Sequence, residues 1–337
     1  MTRHAILRYA RRFLGPLFAL AILAGFSGSA AAVPSCNVWS TNLSFGTINL
    51  LDTQETDAMA TVTYGCSADP GQTILVCVNL AADPSTNKYS PRYLILNSGN
   101  SGARLAFDMY SDPAHTQVWG SGSAPGSHGA VPFVLSFGQG QYYQQKTATI
   151  YGQVRSDGQT SLPAGTYDTN VKGNWPISID YIAYTGTAPS CSSSRMSTVN
   201  GTGFYISAVL QAECRINSSS EMNFGAVPSL DHNIDTSATI SVTCNGSPYY
   251  VLLGDGQNAV SAGGQRRMKG PGGTYIDYEL YKDSQRAQRW GNTDALGETN
   301  TGDGRAQSLT VYGRVPPQQT ALRPGAYRDA VVITVDY

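Results

Sequence analysis

Cysteine is the residue type in this chain whose spacing points most directly to chemistry. Cys36 and Cys66 lie 30 positions apart, and Cys214 and Cys244 repeat that spacing. The chain holds 6 cysteines in all, an even number that is typical of the disulfide frameworks of exported proteins. The repeated spacing therefore predicts two disulfides, Cys36–Cys66 and Cys214–Cys244.

The other residues that could carry chemistry form no catalytic or metal-binding pattern. Cys77 and Cys191 have no counterparts in the repeated spacing, and pairing by elimination predicts a third disulfide between them. No cysteines form a closely spaced pair with a histidine nearby, so we expect no metal site. His115, His128 and His232 stand beside no nucleophile motif, and the chain has no phosphate-binding loop. We therefore expect neither an enzyme nor a cofactor.

The first 32 residues have the features of a secretory signal peptide. Four arginines precede an apolar stretch at 14–26, and the run 30–32 of alanines offers a cleavage site. The apolar stretch is too short for a membrane span, and we favour the general secretory route over twin-arginine export. Removing the leader leaves 18 basic residues (22 less 4) against 23 acidic ones, a formal net charge of −5. A nucleic-acid partner requires a basic face, so this charge argues against one.

Six landmarks occur twice in the same order and indicate two tandem copies of one domain. Each copy carries Phe-Gly, Tyr-x-Asp, Trp-Gly, Tyr-Gly-x-Val, a Pro/Gly turn that closes on Tyr, and a final Asp-Tyr. In the first copy these landmarks begin at Phe45, Tyr110, Trp119, Tyr151, Pro163 and Asp180. In the second copy they begin at Phe224, Tyr281, Trp290, Tyr312, Pro324 and Asp336.

Short β-favouring runs separated by turn residues fill both copies, and no long helical period follows the leader. This pattern predicts an all-β sandwich or barrel in each copy. We expect a first domain over 33–184 and a second over 204–337, joined by a linker over 185–203 that is rich in Gly, Ser and Thr. In an alternative reading, Cys191 ties part of that linker to the first domain.

The second copy resembles the spore coat protein U domain over its whole length. The residues that carry the resemblance are Cys214, Phe224-Gly225, Cys244, Arg266-Arg267-Met268, Tyr281, Trp290-Gly291, Tyr312 to Pro316, Gly325 to Asp329 and Val331 to Tyr337. The first copy matches more loosely, with Gln153 where the second has Arg314. Many members of this family resemble subunits of archaic chaperone–usher pili of the Csu type, which support biofilm formation. A chain with two such domains resembles the tip adhesin of that system.

The resemblance implies two tandem immunoglobulin-like β-sandwich domains, the second an incomplete pilin domain that lacks one strand. A periplasmic chaperone would fill the resulting groove, and an outer-membrane usher would receive the subunit. A donor strand from the adjacent pilin subunit would then complete the sheet. The edge of the groove is expected at the last strand, with four candidate residues: Val331, Ile333, Val335 and Tyr337.

The expected place of the chain in such a pilus is the tip. With the leader removed, only Val33, Pro34 and Ser35 precede Cys36. Three residues are too few for a strand that crosses a domain, since a strand rises about 3.3 Å per residue. We therefore expect the chain to receive a donor strand and supply none, after export through the periplasm to the cell surface.

Three insertions distinguish the first copy and are the expected sites of adhesion to an abiotic or host surface. The intervals Cys66–Tyr110, Trp119–Tyr151 and Tyr151–Tyr181 exceed their counterparts by 7, 10 and 5 residues (44 against 37, 32 against 22, 30 against 25). Insertions on a shared scaffold are common places for binding function. Their apolar residues are the adhesive candidates: Tyr93, Val131, Pro132, Phe133, Trp175 and Pro176.

The sequence leaves alternatives open for these insertions and for the function. The run 130–137 is either a displayed loop or an extra strand, and Trp175 is either exposed in a turn or a core residue. The last strand of the first copy is expected to run toward the linker, which would place the turn with Trp175 at the far end. The competing functions are a structural pilus or coat subunit without an adhesive role, and a secreted carbohydrate-binding or hydrolytic protein.

Overall fold

β-strands, joined by turns and loops, are the main regular structure of the described residues, and they hold about half of them. The computed structural model describes residues 33–52, 54–97, 102–123, 128–155, 157–169 and 176–337. These residues contain 20 strands and one short 3-10 helix, and Pro34–Tyr337 form one compact unit. Across the described ranges, no helix has the length and apolar character needed to span a membrane. The expected all-β fold is confirmed.

Strands β1 to β12 build the first sandwich. Their bounds are β1 Ser35–Ser40, β2 Leu43–Ile48, β3 Thr56–Ser67, β4 Thr73–Leu80, β5 Arg92–Leu96, β6 Arg104–Tyr110, β7 Val131–Ser136, β8 Tyr143–Val154, β9 Gly165–Asp168, β10 Ile177–Tyr184, β11 Ser197–Asn200 and β12 Ile206–Leu210. One sheet has the order β1-β3-β8-β6-β5-β9-β12-β2, and the other has the order β11-β10-β4-β7. Alternate side chains of both sheets fill one apolar core between them.

Strands β13 to β20 build the second sandwich. Their bounds are β13 Cys214–Ser219, β14 Ile234–Cys244, β15 Pro248–Leu253, β16 Arg266–Lys269, β17 Tyr275–Tyr281, β18 Glu298–Thr301, β19 Ala306–Val315 and β20 Ile333–Asp336. One sheet has the order β13-β14-β19-β17-β16, and the other has the order β18-β15-β20. Their facing side chains enclose a second, separate core.

The two sandwiches match strand for strand, with one systematic difference. The order β13-β14-β19-β17-β16 corresponds to β1-β3-β8-β6-β5, and β18-β15-β20 corresponds to β7-β4-β10. The large sheet of the first sandwich continues with β9, β12 and β2, whereas the corresponding sheet of the second stops at β16. The duplication in the sequence is thus a duplication of fold in which four strands occur only once: these three neighbours, and β11 at the edge of the other sheet.

A buried arginine and a buried tryptophan hold the same place in both sandwiches. The Trp119 indole Nε1 donates to the Val78 carbonyl (2.9 Å), and the Arg92 guanidinium donates to the Trp119 carbonyl (2.7 Å). Trp290 and Arg266 repeat the second contact at 2.9 Å. Burial lowers the pKa of Arg92 to about 10, which reflects the cost of keeping a charge in the core. Three backbone carbonyls, of Ala81, Tyr89 and Trp119, accept hydrogen bonds from the Arg92 guanidinium and offset that cost.

Three disulfides are present, and their pairs are those that the sequence predicts. Cys36–Cys66 and Cys214–Cys244 each join two paired strands of a sandwich, β1 to β3 and β13 to β14. Cys77–Cys191 joins β4 to the segment that follows β10. The predicted linker is therefore tied to the first sandwich.

The boundary between the two sandwiches lies later than the sequence suggests. β11 pairs with β10, and β12 lies between β2 and β9, so both strands belong to the first sandwich. The linker expected over 185–203 thus contains a strand, and the second sandwich begins at Cys214 rather than at residue 204. The repeat concealed this because β11 and β12 have no counterparts in the second copy.

The direction of β10 also differs from the sequence expectation. Successive antiparallel pairings from β12 through β9, β5, β6 and β8 leave β3 running away from the second sandwich. β4 reverses this direction after the turn at 68–72, and β10 is antiparallel to β4. Pro176, just before β10, therefore lies at the end of that strand nearer the second sandwich. The chain returns through β11 and β12, which the sequence had not revealed.

Residues on the inner face of β12 should be essential to the first sandwich. Ile206 is fully buried, whereas Val209 on the same strand is 41 % exposed. We expect Ile206→Ala to lower the free energy of unfolding of the first sandwich by about 2–5 kcal/mol, because it leaves a cavity in the core. Val209→Ala is the matched control and should change it far less. Thermal and denaturant unfolding of the two variants measures the difference, and equal effects would mean that β12 is not part of that core.

Candidate functional site: an open groove in the second sandwich

Strand β12 closes the first sandwich. It runs parallel to β2 and antiparallel to β9, with Ile206 opposite Leu43 and Leu210 opposite Gly165. Alternate side chains enter the core, and the four inward residues are at most 2 % exposed: Phe204, Ile206, Ala208 and Leu210. The backbone edges of β2 and β9 thereby gain partners, and the apolar space between the sheets is filled.

A polar contact fixes the start of β12. The Tyr205 hydroxyl donates to Asp168 Oδ2 at 2.7 Å, and Asn97 donates to the same carboxylate oxygen at 3.0 Å. Burial, with the hydrogen bond to Asp168 adding to it, raises the pKa of Tyr205 to about 12. The Tyr205 hydroxyl therefore keeps its proton, and this contact, at physiological pH.

The second sandwich has the two flanks of this arrangement but not the strand between them. Phe224-Gly225 corresponds to Phe45-Gly46 on β2, and Tyr327 corresponds to Tyr167 on β9. The Tyr327 hydroxyl donates to the Arg323 carbonyl as Tyr167 donates to Pro163, at 2.9 Å in both cases. Yet no strand is assigned to 221–233 or 316–332, all of which the structure describes. The segments of the second sandwich that correspond to β2 and β9 therefore have an unfilled gap between them.

Apolar side chains line this gap together with polar ones, among them Glu221 and Arg328. Two adjoining cavities of about 440 and 840 Å³ lie along it and share Met222, Phe224, Met268 and Tyr327. Leu280, Val311 and Ile333 form the floor of the smaller cavity. A Cβ on Gly313 would meet Met222 Sδ at 2.2 Å, so the glycine is required for the flank to pack this closely. The same relation holds in the first sandwich, where Leu43 and Phe45 pack on Gly152.

A hydrogen-bonded pair marks the polar end of the groove. The Tyr278 hydroxyl donates to Asp329 Oδ2 at 2.8 Å, and Asp329 Oδ1 accepts from the Gln257 backbone and the Asn258 amide. Burial, with the hydrogen bond to Asp329 as the next cause, raises the pKa of Tyr278 well above its usual value. The pair therefore holds the segment that carries Asp329 against β17, and the Tyr278 hydroxyl keeps its proton at physiological pH.

The predicted groove residues fall into two groups. Val331 and Ile333 line the smaller cavity, and Val335 packs against the core of the second sandwich. Tyr337 lies outside both cavities and is 59 % exposed. Sequence reasoning missed the flank that holds Met222 and Phe224, although the repeated Phe-Gly landmark marks it.

The adhesive candidates are dispersed. Val131, Pro132 and Phe133 lie on β7, which pairs with β4, so the run 130–137 is an edge strand rather than a displayed loop. The Phe133 ring lies 4.9 Å from that of Tyr64, which explains its partial burial. Tyr93 is half-buried on β5.

The third insertion is described only at its end. Pro176 is exposed, and its carbonyl accepts a hydrogen bond from the Ala81 backbone. Trp175 lies outside the described residues. Within the described part of the chain, no group of three or more His, Cys, Asp or Glu residues is arranged to hold a metal ion.

Comparison with known proteins finds one curated relative, several similar solved structures and a matching family. The chain is 35 % identical over 105 residues to Protein U of Myxococcus xanthus, a match that spans 29 % of this chain and 58 % of that protein, little more than half its length. Among solved structures, it is similar to the CsuC–CsuE chaperone–tip adhesion subunit complex of Acinetobacter baumannii, with 15 % identity, coverage of 90 % and 100 %, and a TM-score of 0.41. The CupB6 tip adhesin of Pseudomonas aeruginosa gives 11 % identity, coverage of 90 % and 94 %, and a TM-score of 0.40. The Spore Coat Protein U domain matches residues 22–173 and 201–334, so the chain belongs to that family.

Proposed function

We propose that this protein is the tip adhesin of an archaic chaperone–usher pilus and that the groove of its second sandwich is where it joins the pilus. The observation that carries the proposal is the gap between 222–227 and 325–329, in the place that β12 fills in the first sandwich. An open apolar groove between two strand edges accepts an extended peptide through backbone hydrogen bonds. On this proposal the chain is a binding and assembly protein and not an enzyme.

The use of β12 inside the chain supports a terminal position. The segment just ahead of the second sandwich is the one that a subunit in a series would offer to its neighbour. Here its inward residues Ile206 and Leu210 are buried in the first sandwich. That segment is therefore occupied, while the groove of the second sandwich is free to receive a strand. A subunit with one groove that accepts a strand, and no free donor strand ahead of that groove, can join a neighbour on one side only. This arrangement suits the end of a fibre.

The first sandwich also indicates what the partner strand looks like. β12 presents apolar side chains at every second position and runs parallel to β2. We propose that a donor strand of the adjacent subunit lies parallel to 222–227 with the same alternation. Before assembly, a periplasmic chaperone would fill the same groove, and the outer-membrane usher would exchange the two at the cell surface.

Adhesion is assigned to the first sandwich, which carries the insertions. The turn at 137–142 belongs to the second insertion and lies at the end far from the second sandwich, where Tyr142 is 63 % exposed. The third insertion ends at Pro176, on the side nearer the second sandwich, so surface contact is assigned to the second insertion. Apolar groups exposed on a soluble domain are typical of contact surfaces, and many weak contacts from many pili would add through multivalency.

A charge placed in the groove should prevent assembly. Ile333 lines the groove, whereas its neighbour Val332 is 69 % exposed. We expect Ile333→Asp to weaken binding of the chaperone and of the donor subunit by about 100-fold or more, since an unpaired buried charge costs about 3–5 kcal/mol. Val332→Asp is the matched control and should assemble normally. Co-purification with the chaperone and incorporation into pili are the measurements, and normal assembly of Ile333→Asp would refute the assigned groove.

Loss of the apolar contacts should abolish attachment without affecting assembly. We expect pili that carry Tyr142→Ser to form in normal number but to lose most attachment to a polystyrene surface. Val260→Ser, an exposed site on the second sandwich, is the control. Attachment of the parent should persist at high salt and weaken in mild detergent. Parent-level attachment by Tyr142→Ser would show that adhesion lies elsewhere on the chain.

A further inference from the structure

The outer face of β1, β3 and β8 in the first sandwich has a largely exposed part without charged side chains, and Asp57 lies beyond it near the start of β3. Strand register places eleven outward residues in four rows. The rows are Ser35, Ser67 and Tyr143; Asn37, Gly65 and Gln145; Trp39, Thr63 and Thr147; Thr61 and Thr149. None of these eleven side chains carries a charge.

One aromatic ring lies across this face. A Cβ on Gly65 would meet the Tyr143 hydroxyl oxygen at 2.3 Å and Asn37 Oδ1 at 3.0 Å. The end of the Tyr143 side chain therefore rests on the glycine, where any larger residue would displace it. Tyr143 is nevertheless 50 % exposed. Its ring reaches from β8 over β3 and keeps a surface free for a ligand.

A second aromatic side chain and several amides complete the surface. Trp39 lies on β1, two positions along the strand from Asn37, and is 39 % exposed. The Tyr143 hydroxyl donates to Gln145 Oε1 at 3.1 Å, which fixes the amide beside the ring. The Cα atoms of Trp39 and Tyr143 are two strands and four residues apart, which corresponds to about 16 Å. That distance exceeds the width of one sugar ring.

The equivalent face of the second sandwich lacks these features. There the Asn217 amide donates to the Ser241 and Thr243 hydroxyls, so the polar groups satisfy one another. The outward positions of the matching rows on β14 and β19 hold Ser, Thr and Ala and no aromatic residue. The two sandwiches thus share one arrangement of strands, but only the first has aromatic residues on this face. Packing of the core does not require these aromatic residues.

We propose that this face binds a neutral oligosaccharide chain, with Tyr143 and Trp39 as stacking platforms and Asn37 and Gln145 as hydrogen-bond partners. A sugar offers an apolar ring face and hydroxyls together, which matches exposed aromatic rings beside amides. An anionic ligand would find no cation on this face. A purely apolar partner would leave the amides without hydrogen bonds, at a cost in free energy. The proposal does not depend on the position of the chain in a pilus.

Binding of soluble glycans to the full mature chain tests this assignment. The probes are a panel of neutral gluco-, galacto- and manno-configured oligosaccharides, with a sulfated oligosaccharide as the charged counterpart. Binding is followed by tryptophan fluorescence and by calorimetry. We expect binding of at least one neutral probe, unaffected by salt, and at least tenfold weaker binding by Tyr143→Ala and by Trp39→Ala. Met59→Ala, an exposed site on the same face beyond the four rows, is the control.

A second variant separates positioning from simple loss of the ring. Gly65→Ala keeps Tyr143 but displaces it from the sheet, and it should weaken binding of the same neutral probe while thermal unfolding shows an intact sandwich. Failure of every neutral probe to bind would overturn the proposal. So would preference for the sulfated probe, or an equal loss in Met59→Ala. Loss of polystyrene attachment in Trp39→Ala and Tyr143→Ala without any glycan binding would assign the face to apolar contact instead.

Discussion

Backbone hydrogen bonding at two strand edges is the constraint on which the rest of this structure depends. A sandwich that ends on unpaired edges exposes donors, acceptors and its apolar core to water. In the first sandwich, β12 removes this liability by lying between β2 and β9. In the second, the corresponding flanks face a groove lined by Met222, Phe224 and Ile333. One copy of the domain is closed by its own chain, and the other keeps an open groove at the corresponding place, which on the proposed function a strand from outside fills.

On the proposed function, this difference divides assembly and adhesion between two copies of one scaffold. The second sandwich retains short connections and an open groove, which suits assembly. The first is closed and further stabilised by the Cys77–Cys191 disulfide, so it can carry insertions and an aromatic outer face without loss of the core. The buried Arg–Trp pairs that both share, Arg92 with Trp119 and Arg266 with Trp290, maintain the common framework beneath these differences.

The duplicated landmarks were sufficient to predict the fold class, the tandem arrangement and the family, because strand periodicity and repeated spacing are local signals. They did not reveal where β12 belongs. Ile206, Ala208 and Leu210 alternate like a strand, but their position just before Cys214 suggested the start of the second copy. Which sheet a strand enters is decided by tertiary packing, and for the same reason the groove was expected at 331–337 rather than beside Phe224. The run 130–137 likewise became an edge strand because β4 offered it a partner.

Backbone amide exchange in the full chain, alone and in the assembled pilus, tests the central claim most directly. Amides of β2 should exchange slowly in both states because β12 covers them. Amides of 222–227 should exchange rapidly in the free chain and become protected on assembly, as a strand fills the groove beside them. Equal and strong protection of both segments in the free chain would show that the second sandwich is already complete. Rapid exchange at 222–227 within the pilus would show that no strand is inserted there.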